Sequence, residues 1–247
     1  MYSGKLVIFV IVLLTGFSGT ASAQFKDLFN KAEKTIGGKG HGKGGLTEAD
    51  ISAGLREALN VGAKNATGKL SAQDGFFGDA LIKVLMPPEA KKVENTLREV
   101  GFGKQVDDAI LSMNRAAEDA STQALDIFVD AIRRMSIQDA LSILKGKDDA
   151  ATQYLKEKTQ AALIKAFQPV IKASLDKVGA TKYWSTVFTT YNDLPTTFKK
   201  VNPDLPAYVT ERALNGVFIY IAKEEGKIRK DPMAQVTDLL KKVFGSH

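Results

Sequence analysis

The chain has 247 residues, 44% of them hydrophobic and 25% charged, with a formal net charge of +6 at pH 7. This composition is typical of a globular protein and excludes a disordered chain. There is no cysteine, and the two histidines, His41 and His247, lie outside every long predicted helix. The sequence therefore excludes disulfide bonds, ordinary His/Cys zinc sites, and Cys-His or Ser-His-Asp catalysis.

Residues 1–23 have the pattern of a secretory signal peptide. Lys5 precedes the uncharged apolar run 6–14, and an A-x-A cleavage site ends at Ala23. The apolar run is shorter than the ~20 residues that span a membrane. We therefore expect cleavage after Ala23 and a periplasmic or secreted protein. A retained N-terminal anchor is the alternative.

Residues 24–36 predict a short amphipathic helix, and residues 37–45 predict a Gly/Lys linker. The linker reads "GGKGHGKGG" and fits both the phosphate-loop template and the dinucleotide template, so neither match is specific. Gly44 occupies the position where a phosphate loop needs a hydroxyl for Mg²⁺. We expect no nucleotide or other cofactor, and no metal. The short helix could bind anionic membrane surfaces weakly or dock on the core.

Residues 46–247 predict a single all-α, bundle-like domain of about seven to nine helices. Two helix starts have the spacing of a capping box with aspartate as the acidic residue. The pairs are Thr47 with Asp50 and Ser136 with Asp139.

The later helices are predicted from periodicity and from proline positions. Residues 104–135 are the longest periodic run and would extend ~48 Å if unbroken. Residues 149–178 predict a helix with a kink at Pro169. Two more helices are expected at 206–228 and 231–245, each with proline in its first turn.

Periodicity does not resolve residues 75–88, which read "GFFGDALIKVLMPP". The segment is apolar, contains two internal glycines and stops at two prolines. A short helix and an extended buried stretch remain equally consistent with it.

Several segments together resemble a bacterial family, domain of unknown function 4197 (DUF4197). They are "DGFFGDALIKVLMPPEAKKVENTLREVGFG", "MNRAAEDA", "ALSILKGKDDAATQYLKEKT", "ASLDKVGATKYW" and the block from "VNPDLPAYVTERALNGVFIYIAKEEGKIRK" to "DPMAQVTDLLKKVFG". The resemblance covers roughly residues 46–245. Within residues 82–88 the family tends to carry a further proline in an "IKIPLP"-like stretch. The resemblance implies an exported, largely helical protein and implies no activity or site residues.

One candidate site is the polar group Asn114, Arg115 and Glu118 in "MNRAAE". Asn114 lies close to the apolar stripe of its helix, and Arg115 can reach Glu118 one turn on. These side chains could form the polar floor of a pocket, or a satisfied network that packs helices together. The second interpretation is favoured.

A second candidate is aromatic. Trp184, Phe188 and Tyr191 share one helical face in "KYWSTVFTTYN". Such residues form the core or line an apolar ligand groove between helices, and the sequence does not separate these alternatives.

Three functions remain from the sequence. The first is a non-enzymatic exported protein that holds an apolar or amphipathic ligand between helices. The second is a structural or protein-interaction component of the cell envelope, and the third, least favoured, is a carboxylate-based enzyme. Basic residues are spread along the chain, so nucleic acid is not an expected partner.

Overall fold

A computed structural model describes residues 47–193, 195 and 200–230. The predicted signal peptide, amphipathic helix, Gly/Lys linker and last helix lie outside these residues. Over the described residues there are eight α-helices, one 3₁₀-helix and no strand, which confirms the all-α class. Their bounds are α1 Glu48–Ser71, the 3₁₀-helix Pro88–Ala90, α2 Lys91–Glu99, α3 Gly103–Ser121, α4 Ala124–Arg133, α5 Ile137–Lys145, α6 Ala150–Lys177, α7 Ala180–Asn192 and α8 Leu205–Lys230.

Helix α8 is the centre of the bundle. It packs against α1, α3 and α6, and α1 in turn contacts α4 and α5. Val209, Ala213 and Val217 of α8 are completely buried. The apolar stripe of this helix is wide because neighbours cover it on several sides.

Both predicted capping boxes are confirmed. Asp50 N donates to Thr47 Oγ1 at 3.1 Å, and Thr47 N donates back to Asp50 Oδ2 at 3.0 Å. Ser136 and Asp139 make the same two bonds, both at 3.0 Å. These pairs satisfy amides that would otherwise lack partners at the starts of α1 and α5.

The start of α6 is capped from a different helix. Its own N-cap residue, Asp149, makes no side-chain capping bond. Instead the buried carboxylate of Glu225 on α8 accepts from Ala151 N at 3.0 Å and Thr152 N at 2.8 Å. Arg229 pairs with the same carboxylate at 2.8 Å. The negative charge also complements the positive end of the α6 dipole.

The long periodic run at 104–135 forms two helices rather than one. Thr122 and Gln123 separate α3 from α4, and Gln123 N donates to the carbonyl of Ala120 at 3.0 Å in a tight turn. The residues before and after the break both have an apolar face. The spacing of apolar residues therefore continues across the break, although the helix itself ends there. The break lets Phe128 of α4 meet Phe218 of α8 edge-on, with ring centroids 6.1 Å apart.

Helix α6 continues through Pro169. Proline cannot donate to the carbonyl four residues earlier, which belongs to Lys165. Both residues are exposed, so water can reach that carbonyl. The helix therefore tolerates a proline that would be costly on its buried face.

Gly216 on α8 is required by close packing. A Cβ at this position would lie 2.6 Å from Cε1 of the fully buried Phe76 ring. We expect Gly216→Ala to lower the free energy of unfolding by about 1–3 kcal/mol through overpacking. Urea denaturation monitored by circular dichroism measures this change.

Gly226 in the same helix is the matched control, since a Cβ there meets nothing within 4 Å. Gly226→Ala should raise stability by about 0.5–1 kcal/mol through helix propensity. Equal effects of the two substitutions would contradict the packing explanation.

Candidate functional site

Residues 72–87, which join α1 to the 3₁₀-helix, form turns followed by an irregular stretch. The short helix that the sequence left open is therefore not formed, and residues 83–87 have no regular secondary structure. Phe76 and Val84 are fully buried and Ile82 nearly so. Backbone that is buried without regular structure must find hydrogen-bond partners elsewhere.

Asn114 of α3 supplies one set of these partners. Its Oδ1 accepts from Val84 N, and its Nδ2 donates to Val84 O, both at 2.8 Å. Nδ2 also donates to Ile110 O at 2.7 Å. The fully buried carboxamide therefore pairs with both the amide and the carbonyl of Val84, as a neighbouring β-strand would.

Glu118 and Arg115 supply the second set. Glu118 Oε1 accepts from Phe76 N at 3.0 Å and from Phe77 N at 3.2 Å. Arg115 bridges Glu118 at 2.6 Å and Asp74 at 2.8 Å, and its bond to Glu118 is the main cause of its raised pKa. The three polar residues singled out in the sequence thus hold segment 72–87 on α3.

Helix α8 holds the same segment from the other side. The Tyr220 hydroxyl donates to Asp79 Oδ2, and Lys223 Nζ lies 3.6 Å from that oxygen. The Tyr220 bond is the main cause of the lowered pKa of Asp79. Burial, aided by the bond to Asp79, raises the pKa of Tyr220 to about 12. Tyr208 further donates to Leu85 O at 2.7 Å.

Immediately after this segment lies an apolar groove of about 620 Å³. Its walls are α2 with the 3₁₀-helix on one side and α7 on the other, and α3 forms its floor. We call it the α2–α7 groove. The apolar and aromatic residues that line it are Met86, Ala90, Val93, Leu97, Phe102, Val106, Ala109, Met113, Val178, Ala180, Tyr183, Trp184, Val187, Phe188 and Leu205.

Two of the three aromatic candidates line this groove, and the third does not. Trp184 and Phe188 line it, with ring centroids 4.4 Å apart. Tyr191 is not part of the lining and packs edge-on against Phe188 at 6.4 Å. The Trp184 indole donates to Asn202 O at 2.9 Å, which fixes the ring on the chain leading to α8. The polar candidates Asn114, Arg115 and Glu118 are also absent from the lining.

Large apolar side chains continue from the lining to the outer surface. Phe102, Val178, Tyr183 and Val187 line the groove and are 49%, 60%, 71% and 43% exposed. A connected set of exposed apolar side chains is characteristic of a binding surface.

The α2 wall was not anticipated as part of a site. The sequence "PPEAKKVENTLREVG" has apolar residues at Ala90, Val93, Leu97 and Val100, a helical spacing that is typical of a buried face. In the structure only Ala90 is fully buried, Val93 and Leu97 are half-buried and line the groove, and Val100 is exposed. The sequence signal for this wall was the presence of apolar residues on a short, highly charged helix. A buried face and a groove wall give the same pattern, so the sequence could not distinguish them.

A second concavity, of about 580 Å³, is an open cleft between α5 and α6. Its lining is mixed, and its acidic residues already have partners. Asp139 caps α5 through Ser136, and Glu157 pairs with Lys158 at 2.9 Å. This cleft offers no concentrated binding chemistry.

In the described part of the chain, no three His, Cys, Asp or Glu side chains are grouped so that they could hold a metal ion. Nor does any helix there combine the length and apolar character needed to cross a membrane.

The sequence model of DUF4197, described as a protein of unknown function, matches residues 45–245 of this chain. Searches of the curated proteins and of the solved structures found no match.

The role assigned to Asn114 predicts a large effect on stability. Asn114→Ala leaves Val84 N and O without their partners in a buried site, so we expect a loss of about 2–4 kcal/mol. The Val84 amide should also lose hydrogen-exchange protection. Asn95→Ala, on the exposed side of α2, is the control and should change stability by less than about 0.5 kcal/mol. Unchanged protection at Val84 would contradict the pairing.

Tyr220→Phe should make stability less dependent on pH. Asp79 has a lowered pKa in the folded state, so its contribution is present above its unfolded pKa and is lost as the pH falls through the folded value. Tyr220 has a raised pKa, so its contribution is complete below its unfolded pKa and is lost as the pH rises through about 12. The substitution should therefore cost about 1 kcal/mol between roughly pH 4 and pH 10, and less outside that window.

Urea denaturation at pH 3 and pH 7 tests this difference at the acid end. Tyr183→Phe, at an exposed tyrosine, serves as the control and should give the wild-type pH profile. A Tyr220→Phe protein with the same loss at both pH values would show that the hydroxyl acts independently of the Asp79 charge.

Proposed function

The chain belongs to the DUF4197 family of proteins of unknown function, and we propose that it is a non-enzymatic binding module that holds an apolar or amphipathic ligand in the α2–α7 groove. The observation that carries this proposal is the continuous apolar lining, which runs from the buried Met113 to the exposed Tyr183. An apolar surface of this kind gains free energy when a ligand removes it from water.

The size and composition of the groove support a small ligand. Binding pockets for small molecules are typically about 300–1,000 Å³ and mostly apolar, and this groove encloses about 620 Å³. Met86 and Met113 supply flexible, polarizable contacts that adapt to different ligand shapes. Trp184 and Phe188 supply large, rigid ones.

The carboxylates of the groove support a role without catalysis. General acid–base chemistry needs a group that is free to exchange a proton with the substrate. Glu94 is nearly buried and accepts from Lys91 and Arg98, both at 3.1 Å, and Asp108 pairs with Lys104 at 2.6 Å. Each carboxylate is thus already engaged by a basic partner.

The N-terminal pattern supports export. Residues 1–23 combine a short basic start, an apolar run and an A-x-A site, so we place the protein in the periplasm or outside the cell. An exported carrier of an apolar molecule shields its ligand from water between two membranes or outside the cell.

One observation favours a second function, a protein-interaction component of the envelope. Val178 and Tyr183 at the groove mouth are 60% and 71% exposed, and Val100 beside α2 is 62% exposed. A partner protein could cover this surface without any small ligand. The binding experiment below separates the two functions, because only the first requires a probe to enter the groove.

The test is to fill the groove. Ala109 lies half-buried on α3 in its lining, so Ala109→Phe places an aromatic ring where the ligand should lie. We expect the affinity for a neutral fluorescent naphthylamine probe to fall at least about tenfold, which corresponds to about 1.4 kcal/mol. Titration of the purified protein with the probe measures this.

Ala161→Phe is the matched control, since Ala161 is exposed on α6 and is not part of the groove lining. Circular dichroism should show that both variants are folded. Equal probe affinity in the wild-type protein and both variants, or no probe binding at all, would reject the groove as a ligand site and leave the protein-interaction function.

A further inference from the structure

We propose that the α2–α7 groove selects uncharged ligands, such as long-chain alcohols, esters or hydrocarbons, and discriminates against anionic amphiphiles such as fatty-acid carboxylates. This inference rests on the proposed function and names the class of ligand that the same site takes. It follows from which charges line the groove and from how those charges are already used.

The groove lining is asymmetric in charge. Among the described residues that line it, Glu94 and Asp108 are the acidic ones, and none is a lysine, arginine or histidine. An anionic ligand group that enters therefore meets no cation in the lining and approaches two carboxylates. Moving a charge out of water without a partner is costly.

The basic side chains nearest to these carboxylates are engaged with them. Arg98 joins Glu94 at 3.1 Å and Asp107 at 2.9 Å, so its guanidinium is shared between two acids. Lys104 pairs with Asp108 at 2.6 Å, and both side chains are exposed. An anionic ligand would have to displace one of these acids to gain a cation.

The same pairing limits the attraction for a cationic ligand. Glu94 is nearly buried and already receives two bases, which neutralise its charge. Asp108 is more exposed, and its attraction for an incoming cation is screened by water and by Lys104. A cationic amphiphile should therefore bind better than an anionic one but less well than an uncharged one.

Uncharged polar side chains remain to contact a neutral head group. Gln105, Ser112 and Tyr183 belong to the lining and carry amide or hydroxyl groups. Ser112 Oγ donates to Ala109 O at 2.8 Å, and its lone pairs stay suited to accept from an alcohol. These groups orient a ligand by hydrogen bonds without requiring a charge.

The experiment compares three ligands with similar alkyl chains and different heads. Decanol below its solubility limit, and decanoate and decyltrimethylammonium below their micellar concentrations, compete with the neutral naphthylamine probe at pH 8. We expect decanol to bind most tightly and decanoate to bind at least about tenfold more weakly, with the cation between them. The alkyl chains differ by at most one carbon, worth about 0.8 kcal/mol, so a tenfold difference, about 1.4 kcal/mol, exceeds the effect of the chain and reports on the head group.

Substitution at Gln105 tests the electrostatic cause. This residue is exposed at the groove edge, so a charge there need not disturb the core. Gln105→Lys should raise the affinity for decanoate relative to decanol by about three- to tenfold. Gln105→Glu should shift the ratio the opposite way. Gln138→Lys on α5, outside the groove lining, adds the same net charge and should leave the ratio as in wild type.

Each outcome has a distinct meaning. If decanol and decanoate bind equally well, the selectivity is absent and the inference fails while the binding function stands. If Gln105→Lys and Gln138→Lys change the ratio equally, any selectivity comes from net charge and the assignment to the groove fails. If no ligand displaces the probe and the probe itself does not bind, the proposed function fails.

Discussion

The structure depends on supplying hydrogen bonds to a buried stretch of backbone that is not helical. Residues 72–87 alternate between exposed and buried positions, and at the fully buried Phe76 and Val84 water cannot satisfy the amides and carbonyls. Glu118 of α3 accepts from the amides of Phe76 and Phe77, and Asn114 pairs with both the amide and the carbonyl of Val84. Helices satisfy most of their own backbone groups, so this irregular segment is the part of the chain that needs buried side chains as hydrogen-bond partners. Those polar side chains consequently specify where the segment lies.

The groove is a consequence of that placement. Segment 72–87 leads to Met86 and the 3₁₀-helix, which lie beside α3. Helix α2 follows and forms a short wall of the groove, with little of its own surface buried. On the other side α7 buries only Trp184 and Phe188. Gly179, in a left-handed conformation with φ of +71°, turns the chain between α6 and α7. Two lightly packed helices over a third leave an apolar channel that the main core does not fill.

Periodicity and capping predicted most of the helices, because those signals are local. Thr47 and Ser136 mark helix starts through contacts three residues away. The break at Thr122 and Gln123 was not predictable in the same way, because it serves contacts with α1 and α8 that are distant in sequence. The role of Asn114 was likewise predictable only in part. Its place near an apolar stripe indicated a satisfied polar group, but its partner, Val84, is 30 residues away. A groove wall and a core face have the same sequence pattern, so the site could not be located from sequence.

The position of α8 in the chain has a consequence for the order in which the protein can fold. Three residues of α8 make contacts with distant parts of the chain: Glu225 caps α6, Gly216 packs against Phe76, and Tyr220 donates to Asp79. These earlier segments therefore depend on α8 for their native contacts. A polypeptide that emerges from the ribosome, or from a translocation channel, presents its N-terminal end first. Until α8 has emerged, the earlier helices lack both their apolar neighbour and their polar partners. The bundle is therefore incomplete until this late part of the chain has emerged.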